Sequence, residues 1–223
     1  MDDIGGTPLL YVSGGKHDFE EAGVGVARLL LERGVDVNRE GEEQRTPLHA
    51  ASFNGKPEIA RLLLDYDAKV DAVDDFGNTP LHDVSRRGYY SEEASVGVVR
   101  LLLEHGGDVN GQNKQQQTPL HIASCGRKLE VARLLLDNGA KLDAVDEQGN
   151  NPLHNVLQGW YHPEEAGVIR LLLEHGADVN AKARSGETPL DLVSDRRPVL
   201  AERLREHGAR PGASSSWTGF FNR

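Results

Sequence analysis

The sequence predicts an all-α solenoid, a row of stacked helix-turn-helix units joined by finger-like β-turn loops. Three observations predict it. First, Thr46-Pro47-Leu48-His49 returns as Thr79-Pro80-Leu81-His82 and Thr118-Pro119-Leu120-His121. Altered copies stand at Thr7-Pro8-Leu9-Leu10, Asn151-Pro152-Leu153-His154 and Thr188-Pro189-Leu190-Asp191. Second, Arg-Leu-Leu-Leu follows from Arg28, Arg61, Arg100, Arg133 and Arg170, and decays to Glu202-Arg203-Leu204-Arg205. Third, the copies of the first motif lie 39, 33, 39, 33 and 37 residues apart, a two-unit period of 72. A period of this size marks arrays in which no unit can bury its own apolar face.

The unit that begins at Thr46 justifies each element in turn. Thr46 is a good helix N-cap, and Pro47 then falls where its missing N–H costs nothing. Leu48, Ala51 and Ser52 share one narrow face. Gly55 breaks the short helix and Pro57 opens a second, with Ile59, Leu62, Leu63 and Leu64 as its apolar stripe. Left-handed exit caps are expected at Gly34, Gly106, Gly139 and Gly176, with Asp67 in that place in this unit. The turn-rich stretch from Ala72 to Asn78 leads into the next unit. Neither helix is long enough to stand alone.

The Thr-Pro-Leu-His-x-Ala pattern, complete at Thr46 and Thr118, resembles the ankyrin repeat family. The resemblance runs from about Asp2 to Gly208 and gives six units. It implies one array over residues 1–210, followed by a tail at 211–223. It also implies a scaffold without catalysis or cofactor, whose concave surface of fingers and first helices meets a protein partner. On that surface the candidates are Phe53, Val73, Phe76, Asp83, Arg86, Gln115, Ile122, Cys125, Asn155 and Gln158. Val73 and Phe76, apolar tips on a polar surface, are the expected hot spots. An alternative is a regulatory arm of a larger signalling protein.

Units starting at 7, 79 and 151 carry inserts between their helices. Each insert has aromatics followed by a Glu-Glu pair, and the aromatics are Phe19, Tyr89, Tyr90, Trp160 and Tyr161. One reading is a lengthened second helix, capped by Ser91 or opened by Pro163, with the acids at the positive end of the helix dipole. The other is a row of aromatic loops that bind a partner. Gln44 and Gln116 replace the turn glycine found at Gly77 and Gly149, and since a left-handed glutamine is strained, a different turn geometry is expected there.

Composition narrows the function. Lys and Arg total 25 against 35 Asp and Glu, a net charge of −10, which is poorly suited to phosphate backbones. No apolar run approaches the ~20 residues of a membrane helix. Met1-Asp2-Asp3 lacks the basic and apolar order of a secretory signal, and a single cysteine, Cys125, builds neither a disulfide nor a zinc site. The expectation is a cytoplasmic monomer with no nucleic-acid or membrane partner. His49, His82, His121 and His154 are the repeat's own histidines, which the resemblance assigns to hydrogen bonds between turns. Asn38, Asn110 and Asn180 each end an Asp-Val-Asn triplet, a context resembling ankyrin sites of asparaginyl hydroxylation. The tail residues Trp217, Phe220 and Phe221 are expected to fold back on the last unit.

Overall fold

The computed structural model describes residues 7–15, 20–86, 88, 90–158, 165–193 and 197–212. The tail beyond Gly212 and the insert residues Phe19, Tyr89, Trp160, Tyr161 and Pro163 lie outside them. Among the described residues there are eleven α-helices and no strands. In order they are α1 (Pro8–Gly14), α2 (Glu20–Glu32), α3 (Pro47–Phe53), α4 (Pro57–Asp65), α5 (Pro80–Ser85) and α6 (Glu92–Glu104). Then follow α7 (Pro119–Gly126), α8 (Leu129–Asp137), α9 (Pro152–Leu157), α10 (Glu165–Glu174) and α11 (Pro198–Glu206).

The first helices of successive units, α1, α3, α5, α7 and α9, pack in one row, and α2, α4, α6, α8 and α10 pack in a second. The core lies between the rows. Leu48, Leu81, Leu120 and Leu153 of the first motif meet Leu63, Leu102, Leu135 and Leu172 of the second, all buried. Each unit covers its neighbour, as a one-dimensional array requires. No helix among the described residues is long and apolar enough to cross a membrane.

Second helices in the long units are longer: α2 and α6 have 13 residues and α10 has 10, against 9 in α4 and α8. Ser91 caps α6, its hydroxyl accepting from the Ala94 N–H at 3.2 Å. A cation stands just before the second helix of the other units and reaches back into the preceding long unit. Lys56 donates to the Val12 and Gly15 carbonyls at the end of α1. Lys128 donates to Ser95 Oγ at 2.7 Å, and Arg197 donates to the Leu157 carbonyl at 3.4 Å. These side chains tie the exposed carbonyl end or the insert region of one unit to the entry of the next helix.

The exit glycines Gly34, Gly106, Gly139 and Gly176 are left-handed, and so is Asp67. From the second onward the fingers repeat one geometry. Within them, Asp74, Asn113, Asp146 and Ala183 donate their N–H to the carbonyls of Asn78, Gln117, Asn150 and Glu187. Across them, Asp75, Lys114, Glu147 and Arg184 donate to carbonyls of the preceding finger. At Gln44 the first finger does take another turn: Glu43 and Gln44 are both left-handed, at φ 55° and 57°, and the Arg45 N–H closes on the Glu42 carbonyl. Gln116 does not, since at φ 58° it keeps the left-handed conformation of Gly77 and Gly149. The continuous ladder outweighs the ~1–2 kcal/mol cost of a left-handed side chain. Gln116→Gly should therefore stabilise the chain by about 0.5–1 kcal/mol, read as a higher urea midpoint at unchanged slope.

The segment that begins at Thr188 departs from a full helix pair. Thr188–Val193 forms successive turns, not an α-helix, with Asp191 and Val193 donating to carbonyls three residues back. Asp191 stands where the repeat has histidine. Its carboxylate accepts from the Thr188 N–H and hydroxyl at 2.8 and 2.9 Å and from the Gly212 N–H at 2.8 Å. It thus binds the segment after α11 where a histidine would reach the next finger.

Candidate functional site

The repeat histidines prepare the concave side. In the second unit, the Thr46 N–H donates to His49 Nδ1 at 3.2 Å, and Nε2–H donates to the Asn78 carbonyl of the next finger at 3.0 Å. A backbone N–H can only donate and a carbonyl can only accept, so the neutral Nε2–H tautomer satisfies both. His82, His121 and His154 repeat the pattern onto the carbonyls of Gln117, Asn150 and Glu187 at 2.9, 3.1 and 3.4 Å. Each histidine fixes its own helix start to the following finger. Among the described residues no group of His, Cys, Asp or Glu is arranged to hold a metal ion.

Two positions recur in each unit, one within the first helix and one near or just past its end. One row reads Ala50, Asp83, Ile122 and Asn155, and the other reads Phe53, Arg86, Cys125 and Gln158. Between the second and third units, fingers and helices enclose a hollow of about 370 Å³. Its wall brings together Phe53, Phe76, Asp83, Arg86 and Gln115, five of the residues expected from the sequence, and adds Arg45. Val73, Cys125 and Gln158 are exposed and Ile122 is half-buried, all outside this hollow. Asn155 is buried, so its backbone register places it on the concave row while its side chain is withdrawn.

Asp83 is also withdrawn, its side chain only 2% exposed, at the floor of the hollow. Arg45 donates to its Oδ2 at 2.7 Å, and Arg86 Nε lies 3.6 Å from Oδ1. Burial pushes the Asp83 carboxyl up to about 6, outweighing the two arginines that pull it down. The carboxylate therefore serves to orient the guanidinium groups, one of which, Arg45, lies over the Phe53 ring at 5.3 Å. Arg86 and the rings of Phe53 and Phe76 form the reachable surface. On the far side of Arg45 a second hollow of about 370 Å³ is lined by Leu10, Tyr11, Gly41 and Ala50. Arg45 thus lines both hollows, the second of which also carries Glu42 and Glu43.

Arg45 is the residue that sequence reasoning missed. A signal for it exists: it immediately precedes Thr46, where other copies have Asn78, Gln117, Asn150 and Glu187. An arginine in a column of amides and an acid departs from the repeat in a way that core packing does not require.

The insert aromatic that the structure describes, Tyr90, is not a protruding anchor. It is half-buried beside Gly55 and Gly88, with the Lys128 ammonium 4.4 Å above its ring. Burial raises its hydroxyl to about 12 and lowers Lys128 to about 8. The three asparagines are likewise built in. Asn38, Asn110 and Asn180 each donate from Nδ2 to a carbonyl of the next unit, Asp67, Gly139 or Gly208. Each also accepts at Oδ1 from Lys69, Lys141 or Arg210 N–H. Their amides splice consecutive units.

A family model described as ankyrin repeats, three copies, matches residues 1–74, 16–96, 67–146 and 92–183. No curated protein matches the chain.

Proposed function

This chain belongs to the ankyrin repeat family, and from that premise we propose that it is a non-catalytic scaffold that presents a preorganised concave surface to a protein partner. One observation carries the reading: Phe53, Phe76, Arg86 and Gln115 converge on a single hollow, held there by a buried carboxylate and by the histidine-tied fingers. A surface whose rotamers are set before contact loses little ordering entropy on binding. Two exposed rings beside an arginine have the composition of an interface centre. A cytoplasmic setting accords with a chain that has one cysteine and depends on no disulfide. An array serving as a regulatory arm would use the same surface.

The test is the double change Phe53→Ser with Phe76→Ser. Crosslinked capture from the source cell should yield partners with the wild-type chain that bind the variant at least ~10-fold more weakly. Melting should stay within about 2 °C, since both rings are exposed. Val73→Ser, outside the hollow, serves as the control and should leave capture unchanged. Partners retained equally by the double variant contradict the reading.

A further inference from the structure

The hollow between the second and third units gathers charge that the repeat does not require. Arg45 shares its column with Asn78, Gln117 and Asn150. Asp83 shares its column with Ala50, Ile122 and Asn155, and Arg86 shares its column with Phe53, Cys125 and Gln158. Uncharged side chains serve the stack equally well at those places. Yet Arg45, Asp83 and Arg86 all line this one hollow.

One carboxylate there faces two guanidinium groups. Arg45 takes it, donating to Asp83 Oδ2 at 2.7 Å. Arg86 is left with its Nε 3.6 Å from Oδ1, too long for a hydrogen bond. Among the described residues its guanidinium donates to no acceptor, and the side chain is 41% exposed. Asp74, the other acid of the hollow, is already saturated. Its carboxylate accepts from the N–H groups of Phe76 and Asn78 at 2.8 Å and from Asn78 Nδ2 at 3.1 Å. Glu43 also acts on Asp83, but it is exposed and lines the other hollow. The wall therefore offers one cation with unused donors, beside the rings of Phe53 and Phe76.

This deepens the scaffold reading and rests on it: we infer that the protein partner sets an acidic side chain in this hollow, its carboxylate paired with Arg86 and its stem against Phe53 and Phe76. A carboxylate can accept from two guanidinium N–H groups at once, and the pair strengthens where rings exclude water. The chain's net charge of −10 does not draw acidic proteins from afar. Salt screens that field beyond ~8–10 Å, whereas the pairing acts at contact. The hollow thus selects a single acid within a partner segment, not an acidic surface.

Panning a random-peptide phage library against the whole chain tests this. Peptides recovered on the wild type should be enriched in Asp and Glu over the unselected library. Made singly, they should bind Arg86→Gln about 10-fold or more weakly. Panning on Arg86→Gln should lose the acidic enrichment and still recover apolar peptides through the rings. Its melting should match the wild type, because Asp83 keeps Arg45 as its partner. Phe53→Ser with Phe76→Ser should lose both classes of peptide. A wild-type selection without acidic enrichment, or enrichment that survives Arg86→Gln, overturns the inference and leaves the scaffold reading standing. Peptides recovered equally on the wild type and the double ring variant overturn both.

Discussion

Lowering the pH from about 7 to about 4 will destabilise this fold, and the repeat histidines are the cause. Each accepts at Nδ1 from the N–H of its own Thr or Asn cap and donates Nε2–H one unit on. A protonated ring turns a second N–H toward that cap and breaks the arrangement. Burial holds His49, His82, His121 and His154 below the ordinary value of 6.5, and takes His82 to about 4. Between those pH values the unfolded chain binds the proton and the folded chain does not. The stability this provides is present above pH 6.5 and is lost as pH falls through about 4, roughly 3 kcal/mol for His82 alone.

Asp83 acts with the opposite sign. Its folded value of about 6 lies above the ordinary 3.8, so its contribution is fully present below 3.8 and is lost as pH rises through 6. On acidification the two adjacent residues offset one another, and His49, His121 and His154 decide the net direction. Urea midpoints should fall steadily from about pH 7 to pH 4.5, and more steeply in Asp83→Asn, which lacks the offset. A flat profile, or one equally shallow in that variant, contradicts the account.

Leu102→Ala should cost about 3–5 kcal/mol, near the upper end for a buried leucine. Leu102 is fully buried in α6, which packs on α4 and α8, so the cavity damages two interfaces. An array with nearest-neighbour coupling fails at its weakest junction. The urea transition should broaden, with the halves on either side of the third unit losing cooperativity. Leu204→Ala removes the same atoms from an equally buried site in α11 of the last unit. There the loss should fray that unit alone and leave hydrogen-exchange protection of α3 to α8 within about 1 kcal/mol of the wild type. Equal cost at both positions would contradict one-dimensional stacking.

Much of the fold is legible residue by residue, because its devices are local. Thr46 capping, Pro47 at the first helical position, the left-handed glycines and the His49 cap act within a few residues, and the repeat displays each several times. Ser91 is read correctly for the same reason. Asp191 shows the limit of local reading. The substitution is visible, but its engagement of Gly212, 21 residues on, depends on how the final turns close. Gln116 misleads in the same way: strain is a local property, whereas the inter-finger ladder that overrides it spans units. At Gln44 the first finger does depart from the glycine turn.

The order of helices, the unit boundaries and the concave rows follow from periodicity, since spacing along the chain dictates which side chains share a face. The convergence of Phe53, Phe76, Arg86 and Arg45 on one hollow does not, nor does the withdrawal of Asp83 and Tyr90 from solvent. Those depend on how closely two particular units approach and which side chain fills the gap, and the repeat pattern is silent on that because it is the same at every junction.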